Sequence, residues 1–100
     1  MKLISNNIRT IRNLCERFNV RKMYVFGSIL TNRFNEGSDV DLLVNFDEDV
    51  TYHTYADIYF GLQEELEKLF GRRVDLVDEG VLKNKYFIRE VNQTRQLIYG

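Results

Sequence analysis

The sequence has no proline, a single cysteine, a single histidine and no long apolar run. A lone Cys15 cannot close an internal disulfide, which fits a reducing compartment. A lone His53 has no companion ligands nearby, so it reads as a surface or capping residue rather than a metal ligand. No stretch approaches the roughly 18 consecutive apolar residues that a membrane span needs. The amino-terminal Met-Lys-Leu-Ile-Ser-Asn-Asn carries no apolar segment of signal-peptide length. The expectation is a soluble, cytoplasmic protein with no membrane contact. Neither sign of charge dominates: 14 Lys and Arg stand against 15 Asp and Glu, a formal charge of −1. No general electrostatic attraction to nucleic acid is expected, a local basic patch stays open, and no direct nucleic-acid binding is expected. The missing proline carries no functional meaning.

What is present is an ordinary globular mixture, 44% hydrophobic and 29% charged. One hundred residues suit one domain, 1–100, able to bury roughly two-thirds of the surface its unfolded chain exposes. Ile4, Ile8, Ile11, Leu14 and Phe18 recur at helical spacing and predict an amphipathic helix from about Ser5 to Asn19. Met23-Tyr24-Val25-Phe26 is a short β-prone run stopped by Gly27. Ser28 to Ser38 reads as a short helix followed by a loop. Asp39 to Phe46 is a second strand, first alternating acid and apolar, then apolar on both faces as an inner strand is. An acidic loop, Asp47-Glu48-Asp49, leads to a long helical segment capped by Gly71. Arg73 to Val77 is a third strand, and a last helix is predicted over Asn84 to Tyr99. The fold class is therefore α+β, a small mixed sheet of three or four strands flanked by helices.

Side chains two apart on a strand share a face, so Asp39 and Asp41 present their carboxylates together. Adjacent like charges are costly unless a cation or a solvated edge accommodates them. Hard oxygen donors of this kind suit Mg²⁺, which takes the rest of its shell from waters and phosphate oxygens. Asp75 begins another strand and joins the same edge if that strand lies beside the second. Gly27 permits a tight turn and close backbone approach, and the Ser28 hydroxyl and nearby free amides can hold phosphate oxygens. Phosphate donors followed by metal ligands are what in-line attack on an α-phosphate requires. Taken singly, a Gly-Ser turn and an Asp-x-Asp strand are more often plain structure; the joint order and spacing is far more specific.

Val25-Phe26-Gly27-Ser28, ten residues, then Asp39-Val40-Asp41-Leu42-Leu43-Val44 resembles the signature of the polymerase-beta-like nucleotidyltransferase superfamily. The length and Ser38 before the first Asp point to its smallest branch, the minimal nucleotidyltransferases encoded beside HEPN-domain proteins. The resemblance implies that Gly27 and Ser28 contact the triphosphate. It also implies that Asp39, Asp41 and Asp75 bind divalent ions, two Mg²⁺ during catalysis, with Asp75 helping to activate the acceptor hydroxyl. It further implies an antitoxin that transfers AMP from ATP to a tyrosine of a HEPN-domain ribonuclease partner. One departure stands out. The usual motif continues after Gly-Ser with a small residue, an Arg and a Gly, whereas Thr31 and Asn32 stand here in place of the Arg and Gly. Arg33 lies two positions on, and a two-residue shift on a helix turns a side chain about 200° away.

Two other functions compete. The fold could silence a HEPN-type partner by association alone, with catalysis weak or lost, as the Thr31 and Asn32 departures suggest. Or it could modify a small molecule such as an aminoglycoside, although this chain has no extra helical domain for such an acceptor. The acceptor is then another molecule or a second copy of the chain, so a homo-oligomer stays open. The remaining candidates read as structure. Arg72 and Arg73 suit a helix-end dipole, Cys15 a small buried apolar group, and Tyr55, Tyr59, Phe70, Tyr86 and Phe87 a core or an interface.

Overall fold

The computed structural model describes all residues, Met1 to Gly100. Strands β1 (Val20–Phe26), β2 (Val40–Phe46), β3 (Val74–Asp78) and β4 (Gln96–Tyr99) form one sheet in the order β3-β2-β1-β4. β1 runs antiparallel to β2 and β4, while β2 and β3 are parallel, so the sheet is mixed as expected and has four strands. Strand alternation sorts the side chains. Met23, Val25, Val40, Leu42, Val44 and Leu76 enter the main core with residues of α1 (Lys2–Ser5), α2 (Ile8–Arg17) and α3 (Tyr55–Phe70). Leu62 and Leu66 of α3 are wholly buried there, each burial favouring the fold by about 1.5–3 kcal/mol. On the opposite face Phe26 and Leu43 meet Val91 of α4 (Lys85–Thr94), with Phe87 set edge-on to Phe26 at 5.9 Å. No polar or charged residue is buried, so all ionic chemistry lies along edges and rims.

Three boundaries differ from the sequence reading by more than one residue, while β2 and β3 each start one residue later than expected. The first helix breaks at Asn6 and Asn7, where the Asn7 side-chain amide donates to the Leu3 carbonyl (2.7 Å), a local bond that competes with helix propagation. β1 begins at Val20 because Asn19, at φ +58°, reverses the chain straight out of α2. The last helix does not reach Tyr99. It ends at Thr94, Arg95 turns extended, and Gln96 to Tyr99 pair with β1. The corner is held by tertiary contacts: the Arg95 guanidinium lies 4.1 Å over the Tyr24 ring and pairs with Glu79, whose other oxygen accepts from Asn45 (2.7 Å).

The outer edge of β3 is closed by side chains of α3. Val40 N–H donates to Arg73 O, so the alternate residues Val74 and Leu76 aim their backbone groups outward. There Glu67 accepts from Val74 N–H (3.0 Å), Gln63 donates to Val74 O (3.1 Å) and Tyr59 donates to Leu76 O. Tyr59, Gln63 and Glu67 are four apart and lie on one helix stripe. An open sheet edge is thereby satisfied, and β3 is fixed beside β2.

Cys15 is fully buried against Met23 (Sγ to Sδ 4.0 Å), and burial pushes its thiol up to about 12. The folded protein is therefore expected to resist iodoacetamide at pH 8, with complete labelling only after denaturation. Mass spectrometry of quenched samples checks this.

Candidate active site

The sheet register builds the site. Asp41 on the inner strand pairs with Phe26 of β1 on one side and with Asp75 of β3 on the other. Paired residues of parallel strands point to the same face, so the Asp41 and Asp75 side chains are neighbours. Asp39, exposed, sits just before β2, two residues from Asp41. The sequence reading made Asp75 conditional on strand order, and that order holds.

Phe26 leads directly into a 3₁₀ turn, Gly27–Leu30, so the turn begins where β1 runs out beside Asp41. Gly27 adopts φ +79° and lies on the Asp41 carboxylate: a Cβ at this position would stand 2.1 Å from Asp41 Oδ2. Glycine is required here for both conformation and closeness. The Ser28 backbone amide lies near enough to the Asp41 carboxylate to favour its charged form. The turn and the acid thus form one unit.

Burial, then the charges of Asp75 and Asp39, raise the Asp41 carboxyl above its ordinary 3.8, and only the Ser28 amide opposes them. Such a raised carboxyl marks an accumulation of negative charge that a cation would relieve. The donor set, three carboxylates on a rim, fits a hard divalent ion. As the side chains stand, however, no three acidic, histidine or cysteine groups are closed tightly enough to hold one. Asp41 is committed to the Gly27-Ser28 turn, and rotation of the exposed Asp39 and Asp75 is what would bring the set together.

The expectation for Arg33 needs correction. The 200° argument assumes a helix, but the turn ends at Leu30 and Thr31 is extended (φ −128°, ψ 165°). Thr31 Oγ1 donates to Ser28 O (2.8 Å) and accepts from Arg33 N–H (3.2 Å), folding the chain back on the turn. Arg33 consequently lines a recess of about 390 Å³ together with Gly27, Ser28, Thr31, Glu90 and Thr94.

Sequence reasoning missed Arg72. Its guanidinium donates to Asn35 O (2.9 Å) and Ser38 O (3.0 Å) and lies 4.7 Å over the Phe34 ring. It therefore ties the loop carrying Asp39 to the end of α3, across more than thirty residues of sequence. No local signal announces such a pairing, and the helix-dipole reading does not describe it. Arg72→Ala is expected to lower stability by about 1–2 kcal/mol and to speed amide exchange over residues 34–39. Denaturant titration and hydrogen–deuterium exchange measure the two effects.

Other candidates stand apart. The largest recess, about 590 Å³, lies over Val50, Tyr52, His53, Tyr55 and Val81, beyond the carboxyl ends of β2 and β3. The three aspartates lie at the amino ends of those strands, so its size does not make it the site. His53 is exposed, edge-on to Tyr52, as a surface residue should be. Phe70 is in the core and Tyr55, Tyr59 and Phe87 pack partly buried, whereas Tyr86 is 84% exposed and belongs to no core.

Comparison with known proteins gives a family and a fold. Residues 8–98 match a family model described as a nucleotidyltransferase domain. Protein adenylyltransferase MntA of Thermococcus cleftensis is 43% identical over 83 residues, covering 80% of each chain. A crystal structure of a toxin–antitoxin with AMP-PNP superposes with a TM-score of 0.74 at 21% identity, covering 94% of this chain and 73% of that one. A tri-AMPylated Shewanella oneidensis HEPN toxin in complex with its MNT antitoxin gives 0.68 at 19%, covering 96% and 71%. At those identities the two structures speak for the fold.

Proposed function

Because the chain belongs to the nucleotidyltransferase domain family, we propose that it is a protein adenylyltransferase antitoxin. It moves AMP from ATP to a hydroxyl of a HEPN-domain partner. The observation that carries this reading is the register: Asp41 lies against the Gly27-Ser28 turn on one side and beside Asp75 on the other. Polyphosphate donors and carboxylates thus meet at one strand end.

In this mechanism Ser28 Oγ and the backbone of the turn hold phosphate oxygens and orient the α-phosphorus. The acceptor oxygen attacks that phosphorus, a new P–O bond forms, and the bond to the bridging oxygen breaks to release pyrophosphate. Asp75, exposed and beside Asp41, takes the acceptor proton on a carboxylate oxygen. Asp39, Asp41 and Asp75 are the residues that would hold Mg²⁺. When bound, it supplies Lewis acidity that eases deprotonation of the hydroxyl and neutralises charge on the phosphates. Arg72, by holding the loop before β2, keeps Asp39 at the rim.

The alternative of a catalytically silent binding module rests on the missing Arg and Gly of the motif. The position of Arg33 on the recess weakens that ground. Co-expression with a HEPN-domain neighbour tests the proposal: the partner should gain the mass of AMP, and gain none beside an Asp39→Asn, Asp41→Asn double variant. An unmodified partner that the double variant still silences would favour the binding module instead.

A further inference from the structure

We propose that the protein also adenylylates itself, and that the acceptor is the hydroxyl of its own Tyr86, near the start of α4. The inference rests on the reading above that this strand end transfers AMP from ATP, and it adds an acceptor within the chain.

Two tyrosines stand largely in solvent, Tyr52 at 92% and Tyr86 at 84% exposure. Tyr52 lines the recess beyond the carboxyl ends of β2 and β3, at the far end of those strands from the aspartates. Tyr86 is differently placed. Asp41 and Leu43 are two apart on β2, as Asp75 and Val77 are on β3, so the acids share the sheet face on which α4 packs. Phe87 and Val91 of α4 turn down onto that face, while Glu90 and Thr94 stand beside Gly27 at the end of β1. Tyr86, Glu90 and Thr94 are four apart and form one stripe, which looks toward the strand ends that carry the site. The chain enters α4 from β3 and leaves it into β4, beside β1, so the helix crosses the sheet from the β3 side to the β1 side. From Thr94 back to Tyr86 the helix covers about 12 Å, and β3 lies two strand spacings, about 10 Å, from β1. Tyr86 thus stands on the Asp75 side, and the Gly27-Ser28 turn on the other.

An in-line displacement needs that separation, because attacking and leaving oxygens lie on opposite sides of the phosphorus. The Tyr86 amide is anchored by Asn84 Oδ1 (3.0 Å), while its hydroxyl bonds to nothing in the protein and is free to swing over the site. In the step, Tyr86 Oη gives its proton to a carboxylate oxygen of Asp75 and forms a bond to the α-phosphorus of ATP. The bond from that phosphorus to the bridging oxygen breaks, and pyrophosphate leaves. The product is a phosphodiester between Tyr86 and AMP.

Incubating the protein with Mg²⁺ and α-³²P-ATP, with no partner present, tests this, read by intact mass and peptide mapping. The chain should gain a single AMP, and the adduct should map to Tyr86. Tyr86→Phe should lower self-labelling by about tenfold or more, Tyr52→Phe should label as wild type does, and Asp41→Asn should not label. Because donor site and acceptor share one chain, the fraction labelled per minute should hold over an approximately hundredfold dilution of protein. Mapping is done on the wild-type protein, and Tyr86→Phe removes only a solvent-facing hydroxyl, so misfolding cannot imitate the result. The inference is overturned if the adduct maps elsewhere, if Tyr86→Phe labels as wild type does, or if the rate falls with dilution. A protein that labels a HEPN-domain neighbour and never itself overturns this inference alone. One that labels neither removes the underlying reading as well.

Discussion

Replacing Gly27 by alanine is expected to cut AMP transfer by about a hundredfold or more while the protein stays folded. The new methyl carbon would fall 2.1 Å from Asp41 Oδ2, well inside van der Waals contact. The backbone also carries φ +79°, a conformation costing an L-residue about 1–2 kcal/mol. That strain is small beside the stability of a domain. The severe clash is with the carboxylate, so rotating it away relieves most of the strain, and Asp41 Cβ, 3.3 Å away, need give only slightly. The rotation is what destroys function: it takes the carboxylate away from the Ser28 amide and moves the one acid that lies between the turn and Asp75. Circular dichroism should show a native spectrum with a modest fall in Tm, alongside near-complete loss of transfer in single-turnover assays. Wild-type activity in this variant would mean that the close contact between turn and acid is dispensable.

The second large effect combines lost activity with gained stability. Asp41→Asn is expected to reduce transfer about a thousandfold, since it removes a charged ligand from the metal-binding rim. In the absence of divalent ions the same variant should melt a few degrees higher than wild type. The sign follows from linkage. Burial and the neighbouring Asp75 and Asp39 raise the folded Asp41 above its ordinary 3.8, so the native state binds the proton more tightly than the unfolded chain does. Metal-free stability then declines as pH rises from about 3.8 through the raised folded value, and at neutral pH the charged group opposes folding. An amide carries no charge, and its oxygen can still accept from Ser28. Thermal melts should show wild type gaining Tm on addition of Mg²⁺ and the variant gaining none. Equal Mg²⁺ responses would argue that Asp41 does not bind the ion.

Much of this architecture is legible in the residue order. The period of Ile8, Ile11 and Leu14 marks a helical face, and the switch from acid–apolar alternation to a continuous apolar run marks β2 as an inner strand. The pairing of Asp41 with Asp75 needed only the topology that puts β3 beside β2. What escaped local reading depends on distant partners. Gln96 to Tyr99 continue the helical pattern of α4. They become a strand because β1 has a free edge and because Arg95 is held by Tyr24 and Glu79. The place of Arg33 follows from a turn that stops after one revolution, and a helical wheel cannot represent that. Arg72 reaches back to a loop that precedes it by more than thirty residues, beyond any periodicity.

The central claim is that this strand end transfers a nucleoside monophosphate, and the position of the label in ATP tests it most directly. The protein is incubated with a HEPN-domain neighbour, Mg²⁺ and either α-³²P-ATP or γ-³²P-ATP. Label from the α position should appear on the neighbour, none from the γ position, and neither with Asp41→Asn. Label from γ-³²P-ATP alone, or α label undiminished by Asp41→Asn, would contradict the account.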